Sequence, residues 1–208
     1  MESVATVGTG RRGLNVEASA HGKVFGPTVV AGGLRGRYGL RDDLEISGDL
    51  TTVHVTEESA TGTNPNVFLA RIGVKFNPGH GFLAITGGLG DGWAPAGGPF
   101  TSADLGLIVA YENCYAVPFG SIRGFASVPL DPRPIDLSQP GNSDPVVDTP
   151  ELTVGYSLQL GFRVPLSHER CPALAPVALT AGIGVTEMRD GDSSLGFGGA
   201  GVGLEANF

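Results

Sequence analysis

The sequence lacks any run of about 18 consecutive apolar residues, which excludes a transmembrane helix. It also lacks the sustained i, i+3, i+4, i+7 spacing of apolar residues that an amphipathic helix requires. Glycine is abundant instead, with 34 among the 208 residues, well above the usual share of about 7%. Because glycine disfavours helices, these features together predict an all-β protein.

Positive charge is scarce as well. Lysine and arginine total 13 residues against 21 aspartates and glutamates, which gives a formal net charge of −8. The basic residues are scattered singly or in pairs along the chain. Binding to a phosphate backbone needs clustered lysines and arginines, so a nucleic-acid partner is excluded.

The opening sequence does not resemble a secretory leader. MESVATVGTGRRG has no basic segment followed by an apolar segment, so we do not expect it to act as a signal peptide. We expect either a cytosolic protein or a processed chain to which Met1 has been added.

Alternation of apolar and polar residues is the main pattern that is present. In ELTVGYSLQLGFRVPL, residues 151–166, every even-numbered position from Leu152 to Leu166 is apolar. A period of two residues is typical of a β-strand with one apolar face. This strand is far longer than the average strand of about five or six residues. The predicted strands are 12–20, 28–40, 44–51, 66–76, 82–93, 101–112, 116–130, 151–166, 176–188 and 194–208.

The connections between these strands alternate in length. Short ones include RDD, NPGH and ENC, whereas longer ones include EESATGTNPN and the segment 131–150. The long connection SHERCPALA breaks this trend on the short-turn side. In an antiparallel meander, successive connections lie at opposite ends of the sheet. One end therefore has mostly tight turns and the other mostly long loops, as in transmembrane barrels. We predict a ten-stranded antiparallel up-and-down barrel over residues 12–208, preceded by a tail of residues 1–11.

The direction of the apolar face decides between two folds. A soluble sandwich or lipocalin-like barrel turns it inward, whereas a membrane barrel turns it toward lipid. The polar face carries charges at mid-strand whose sign alternates between many neighbouring strands, so opposite charges attract across the ladder. We interpret them as a charge network in a narrow lumen, or as a pore lining: Glu17, Arg35, Arg37, Glu45, Asp49, Arg71, Lys75, Asp104, Arg123 and Arg163.

Aromatic residues concentrate near the strand ends, one group near the tight turns and another near the long loops. Two such girdles are typical of membrane interfaces, and a soluble core has no reason to prefer its rims. The membrane barrel is therefore favoured. The predicted girdle residues are Tyr38, Phe76, Phe82, Trp93, Tyr111, Tyr115, Phe162 and Phe208, and Phe68, Phe100, Phe119 and Phe197 extend the two groups.

The closing sequence GVGLEANF ends on Phe208, with Val202, Leu204 and Ala206 on the same face. In this feature, and in the alternation across residues 12–208, the chain resembles the integral β-barrel proteins of the bacterial outer membrane. No subfamily is identified. The resemblance implies a multi-pass barrel in that membrane that contacts its lipid and lipopolysaccharide. It further implies that the membrane-protein assembly machinery recognises the last strand. It also implies periplasmic tight turns and extracellular long loops.

Cys114 and Cys171 both fall in connections on the tight-turn side. If that side is periplasmic, a disulfide between them can form and persist. Two unpaired thiols are the alternative, because the sequence does not give the distance between them.

No motif in the sequence indicates a metal-binding or cofactor-binding site. The four histidines, His21, His54, His80 and His168, have no partners at metal-ligand spacing. The glycine-rich TGGLGDG at 86–92 lacks the following helix that a phosphate-binding loop requires, and small residues lining a crowded lumen explain it better. No metal or cofactor is predicted.

Because no catalytic, metal-binding or cofactor-binding motif is found, we expect a non-catalytic role. We expect a structural anchor or an interaction subunit of a cell-envelope assembly, with a plugged, salt-bridged lumen. Barrels of about eight strands are filled by side chains, and about 16 strands are needed for an aqueous channel. The Pro- and Asp-rich loop 131–150 is the predicted contact for another envelope protein. The alternatives are a narrow porin-like channel for small solutes, a hydrolase near His54 with Glu57, Glu58 and Ser59, and a soluble lectin-like β-protein.

Overall fold

The alternating segments form long strands. The computed structural model describes residues 6–22, 28–55, 66–79, 81–94, 98–113, 115–132, 135–136, 147–148, 151–166, 176–191 and 193–208. Its strands are β1 (Arg12–Gly22), β2 (Thr28–Arg41), β3 (Leu44–Val55), β4 (Asn66–Phe76), β5 (Leu83–Ala94), β6 (Gly98–Ala110), β7 (Val117–Pro129), β8 (Ile135–Asp136), β9 (Val147–Asp148), β10 (Thr153–Pro165), β11 (Val177–Asp190) and β12 (Ser193–Asn207). Across these ranges, no helix is long and apolar enough to cross a membrane.

Ten of the strands close into a barrel in the order β1-β12-β11-β10-β7-β6-β5-β4-β3-β2. All neighbours are antiparallel, and the first strand pairs with the last, so that Val16 lies opposite Leu204. Closure leaves the sheet without an open edge, and the backbone groups bond within it. The predicted ten-stranded up-and-down fold is confirmed. β8 and β9 form a separate two-residue pairing inside the connection 131–150, which the sequence pattern does not predict.

The two ends of the barrel carry different connections. We call the end with the Asp42–Asp43 turn the turn end, and the opposite end, with the connection 131–150, the loop end. Connection lengths are less regular than predicted, because only Gly191 and Asp192 separate β11 from β12 at the loop end. Gly191 has a φ of 54°, which glycine adopts readily in a two-residue hairpin.

The apolar residues of the barrel strands form an exposed outer belt. Ile72 is 74% exposed, Leu160 66% and Ile183 65%. Their neighbours in sequence face the lumen, as the alternating burial of β4 and β10 shows. This orientation excludes the inward-facing apolar surface of a soluble lipocalin-like barrel.

The aromatic residues divide between the two faces of the barrel. Phe119 is buried in the lumen, and Phe100 and Phe197 also lie on inward-facing positions, so assigning these three to the outer rims was wrong. Phe119 belongs to β7, where the apolar and polar parities are mixed. The residues of the predicted girdle are all exposed, and so is Phe68: Tyr38, Phe76, Phe82, Trp93, Tyr111, Tyr115, Phe162 and Phe208.

A segment before β1, residues 6–11, folds against the turn end of the lumen. Val7 has no exposed surface, and its backbone N–H donates to Glu45 Oε2 over 2.9 Å. Gly10 N–H donates to the carbonyl oxygen of Gly39 over 2.8 Å. The segment therefore covers the turn end from the inside.

The Asp42 carboxylate holds this segment at the barrel rim. The backbone N–H and the hydroxyl of Thr9 both donate to Asp42 Oδ1, over 3.0 and 2.7 Å. These bonds, the backbone one first, lower the pKa of Asp42 below its ordinary value. The stabilisation is therefore present above the ordinary carboxyl pKa and is lost as the pH falls through the lowered one.

We expect Gly39→Ala to displace the segment, because a Cβ at Gly39 would overlap the Gly8 carbonyl group. Loss of the charge-assisted bond from Val7 costs about 1.5–3 kcal/mol, so trypsin should cleave after Arg11 about tenfold faster or more. Gly36→Ala on the same strand is the matched control, since a Cβ there meets nothing within 4 Å. Equal cleavage rates in the two variants would contradict the packing of this segment.

Candidate functional site in the barrel lumen

The lumen collects the charges that lie on the polar face of the strands. All ten charged positions predicted for it lie on inward-facing parities. Glu205 on β12 joins them and is 3% exposed. Together they form two networks at different heights.

The turn-side network consists of Lys75, Glu45, Arg37, Glu205 and Arg163, whose charges alternate in sign. Lys75 Nζ lies 3.1 Å from Glu45 Oε1, and Arg37 Nη1 lies 3.8 Å from Glu45 Oε2. Arg37 Nη2 is 2.9 Å from Glu205 Oε1, and Arg163 Nε is 3.2 Å from Glu205 Oε2. Each of the five side chains is at most 8% exposed, so the network is a buried set of ions in which each cation lies beside at least one carboxylate.

The central network lies nearer the middle of the barrel and consists of Arg35, Asp49, Arg71, Asp104 and Arg123. Direct cross-strand register places Arg35 opposite Asp49 and Asp49 opposite Arg71, and Arg35 Nε pairs with Asp49. Arg71 binds Asp104 through two nitrogens, at 2.5 and 2.8 Å, and donates to Asp49 over 2.7 Å. Arg123 lies 3.6 Å from Asp104 and is 29% exposed, the highest value of the five.

Small residues make room for the central network. A Cβ at Gly88 would lie 2.5 Å from the guanidinium carbon of Arg71, so a larger residue there would push Arg71 aside. Gly92 similarly lies against the Phe100 ring. The glycine-rich segment 86–92 therefore serves as lumen lining that larger side chains approach closely.

Below the central network, an apolar cluster fills part of the lumen at the turn end. Its members are Ala84, Ile108, Ala110, Val117 and Phe119, each at most 8% exposed. Ile108 interrupts the alternation seen in the sequence because it faces this cluster rather than the outside. The cluster and the turn-side network together occupy the lower lumen.

Above the central network, the lumen widens into a cavity of about 800 Å³ at the loop end. We call it the loop-end cavity. Its floor is formed by Arg71, Asp104 and Arg123, and its walls combine apolar side chains with hydroxyl and amide groups. The wall residues include Val67, Leu69, Phe100, Ser102, Phe125, Ser127, Thr153, Ser157, Gln159, Thr186, Met188 and Leu195.

Sequence reasoning missed several residues of this site. Glu205 could have been found from its inward parity on the last strand, because it lies between the outward-facing Leu204 and Ala206. Asn207 accepts a bond from Arg37 Nη2 over 2.8 Å and donates to Glu205 over 2.9 Å. The His21 ring, close to Ser19 Oγ at 3.0 Å, lies on an inward position. No motif marks Val7 as a lumen residue.

His54 does not belong to the lumen. It lies on the outer face of β3 at the loop end, where its Nδ1 is 2.7 Å from Asn66 Oδ1. Glu57, Glu58 and Ser59, the expected neighbours of a hydrolytic site, lie outside the described residues. Among the described residues, no group of three or more His, Cys, Asp or Glu side chains is arranged to hold a metal ion.

Cys114 and Cys171 also lie outside the described residues. The bridge between them stays a prediction. His80 and His168 likewise fall outside the described ranges.

Comparisons with known proteins agree with this architecture. The chain is similar to the β domain of the Bordetella autotransporter BrkA, with 12% identity and a TM-score of 0.53 over 96% of this chain and 99% of that one. It is similar to the translocator domain of the autotransporter NalP from Neisseria meningitidis, with 15% identity and a TM-score of 0.50 over 97% and 89%. The fold is that of the bacterial outer-membrane β-barrels.

Neisserial surface protein A is a further similar structure, with 13% identity and a TM-score of 0.47 over 95% of this chain and 96% of that one. Searches against protein-family models and curated proteins find no match. The likeness therefore concerns the fold, and the role of this barrel has to be argued from its own lumen and surface.

Proposed function

We propose that this barrel spans the outer membrane of a bacterium. The observation that supports a membrane location is the continuous outer belt of exposed apolar residues, such as Ile72, Leu105 and Leu160. Soluble proteins rarely expose apolar patches larger than a few hundred Å², whereas a membrane barrel requires an apolar band facing lipid. The aromatic residues exposed near both strand ends fit the two interfaces of a bilayer.

Within that membrane, we propose that the barrel is a non-conducting, non-catalytic anchor or interaction subunit of an envelope assembly. The observation that carries this proposal is the occupied lower lumen. The turn-side network, the apolar cluster and the buried Val7 lie there together. A ten-stranded lumen is only slightly wider than the eight-stranded barrels that side chains fill, so we expect this set to close the aqueous path.

Planar-bilayer recording tests the closed lumen. Purified protein is expected to give no resolved conductance steps under conditions in which a general porin, used as positive control, gives regular ones. Phe119→Ala combined with removal of residues 6–11 is expected to introduce steps, because it empties much of the lower lumen. Reproducible steps from the wild-type barrel, with ion selectivity altered by Arg37→Gln, would favour the channel alternative instead.

We further propose the loop 131–150 as the contact surface for another envelope protein. The loop leaves the barrel between β7 and β10, and its two ends are drawn together where β8 pairs with β9. Its many prolines and aspartates give it too few apolar residues for a core of its own.

Replacing this loop with a short glycine–serine turn is expected to abolish site-specific cross-linking to the partner in intact cells. Barrel folding, followed by heat-modifiable gel mobility, should stay unchanged because the loop lies outside the closed sheet. A matched variant shortened between β3 and β4 should keep its cross-links. Undiminished cross-linking after replacement of the 131–150 loop would contradict its role.

A further inference from the structure

A carboxylate faces outward from the barrel at Asp91, near the loop end of β5. Its side chain is exposed and has the same parity as Leu89 and Trp93, which are 69% and 49% exposed on the outer belt. Because β5 ends shortly afterwards, at Ala94, Asp91 lies between the middle of the belt and the aromatic residues at its edge. Ionisable side chains that face lipid are rare and indicate a functional contact with a specific partner.

Glu187 on β11 is the other outward-facing carboxylate among the described side chains of the barrel strands, and it has partners. The Tyr156 hydroxyl donates to Glu187 Oε2 over 2.7 Å, and Arg189 Nη2 lies 3.5 Å from Oε1. No hydrogen bond or ion pair joins Asp91 to another described residue. Since an unpaired charge at the edge of the hydrocarbon is costly, a cation from outside the described chain would stabilise Asp91.

The surface beside Asp91 forms a groove of about 670 Å³ on the outer face of the barrel. This volume falls within the range of about 300–1,000 Å³ that is typical of ligand sites. Two rows of outward-facing residues line the groove, each in direct register across β2, β3, β4 and β5. One row is Leu34, Leu50, Ala70 and Asp91, and the next row toward the loop end is Gly32, Thr52, Phe68 and Trp93. Because Gly32 and Ala70 are small, they leave space between the larger side chains.

The head group of an occupant decides its affinity, because any lipid chain can pack against Leu34, Leu50 and Phe68. The Asp91 carboxylate accepts hydrogen bonds from a cation, and the face of the Trp93 ring attracts a cation within about 6 Å of its centre. These two side chains stand two residues apart on one face, about 7 Å along the strand, so a single ammonium can contact both. The low dielectric at the edge of a bilayer strengthens both interactions, and an anionic head group would be repelled.

We propose that this groove binds a membrane lipid whose head group carries a primary ammonium. The ammonium lies at the Asp91 carboxylate beside the Trp93 ring, and one acyl chain lies against Leu50 and Phe68. The proposal rests on the proposed membrane location, because only there does lipid cover the groove. A primary ammonium has three N–H donors, whereas a trimethylated one has none, so hydrogen bonding to Asp91 separates two lipids of the same charge.

Fluorescence quenching in lipid vesicles tests this site, because Trp93 is the only tryptophan of the chain and bromine atoms quench tryptophan on contact. The probes are phosphatidylethanolamine and phosphatidylcholine, each brominated near the head-group end of its acyl chains. Each is added at the same small mole fraction to unbrominated phosphatidylcholine. We expect the ethanolamine lipid to associate with the groove about tenfold more strongly than the choline lipid, since only it donates charge-assisted hydrogen bonds to Asp91.

Asp91→Asn should remove this preference, and Asp91→Glu should keep most of it. The matched control is Glu187→Gln, which neutralises the other outward-facing carboxylate and should leave the preference unchanged. Ala70→Leu should weaken the association of the ethanolamine lipid several-fold because it fills the groove. The same exchange at Ala18, on the outer face of β1, should have no effect. Heat-modifiable gel mobility verifies that each variant is folded.

Equal association of the two lipids with the wild-type barrel would overturn the proposal, and so would a preference that Asp91→Asn leaves unchanged. Shielding of Trp93 that disappears when the barrel is diluted in lipid would show that a second copy covers the groove, which would also overturn it. The absence of quenching by either lipid at every dilution would contradict the membrane location itself. Failure of this site is therefore distinguishable from failure of the proposed function.

Discussion

A barrel carrying Glu205→Ala is expected to lose about 3–5 kcal/mol of unfolding free energy, because removing one partner of a buried ion pair leaves an uncompensated charge. Glu205 is 2.9 Å from Arg37 and 3.2 Å from Arg163, and its side chain is 4% exposed. Two guanidinium groups therefore lose the same carboxylate. Urea unfolding of the vesicle-reconstituted protein, followed by gel mobility of the folded fraction, measures this change.

The matched control is Glu187→Ala, which removes a glutamate paired with arginine on the outer surface. Arg189 Nη2 lies 3.5 Å from Glu187, and the two side chains are 69% and 36% exposed. Surface pairs contribute about 0–1 kcal/mol, so this variant should unfold close to the wild type. Similar losses in Glu205→Ala and Glu187→Ala would show that the turn-side network contributes little to stability.

The second large effect is expected at the outer belt. Leu160→Arg should cost about 2–4 kcal/mol in a bilayer, since a charge at the middle of the lipid-facing surface loses its hydration. Leu160 lies near the middle of β10 and is 66% exposed on the outer face. The same urea titration in vesicles measures the loss.

Leu152→Arg is the control on the same face of the chain, just before β10 at the loop end. An arginine near the interface costs about 0–1 kcal/mol, so the unfolding constants of the two variants should differ by about fivefold to about several hundredfold. Equal, small losses at both positions would place Leu160 in water rather than lipid and would contradict the membrane location.

The fold could be predicted because the alternation of apolar and polar residues along each strand is visible in a single sequence. The face of Leu158 follows from its parity and from the charges opposite it, and the structure leaves this residue 42% exposed. The same rule failed at Phe100 and Phe119, since an aromatic near a strand end can face either side. Which side it takes depends on the volume left free in the lumen, a tertiary property.

The charged lumen was predictable as a set of residues, but its pairing was not. The alternating signs of charge on neighbouring strands predict that Arg35 and Arg71 are each attracted to Asp49. The cross-strand register places both arginines directly opposite this aspartate. Arg37 and Glu205, in contrast, lie on strands separated by β1, so only the closed barrel brings them together. The loop-end cavity likewise depends on side chains from seven strands, and no local pattern encodes such a space.

The pairing of β1 with β12 has a consequence for biogenesis. The ring can be completed only after the last strand has been synthesised and has met the first, and bringing such distant partners together is entropically slow. Every shorter intermediate is an open sheet whose two margins offer hydrogen-bonding groups to other chains. A nascent chain of this kind therefore requires a chaperone or a templating surface that shields both margins until they join.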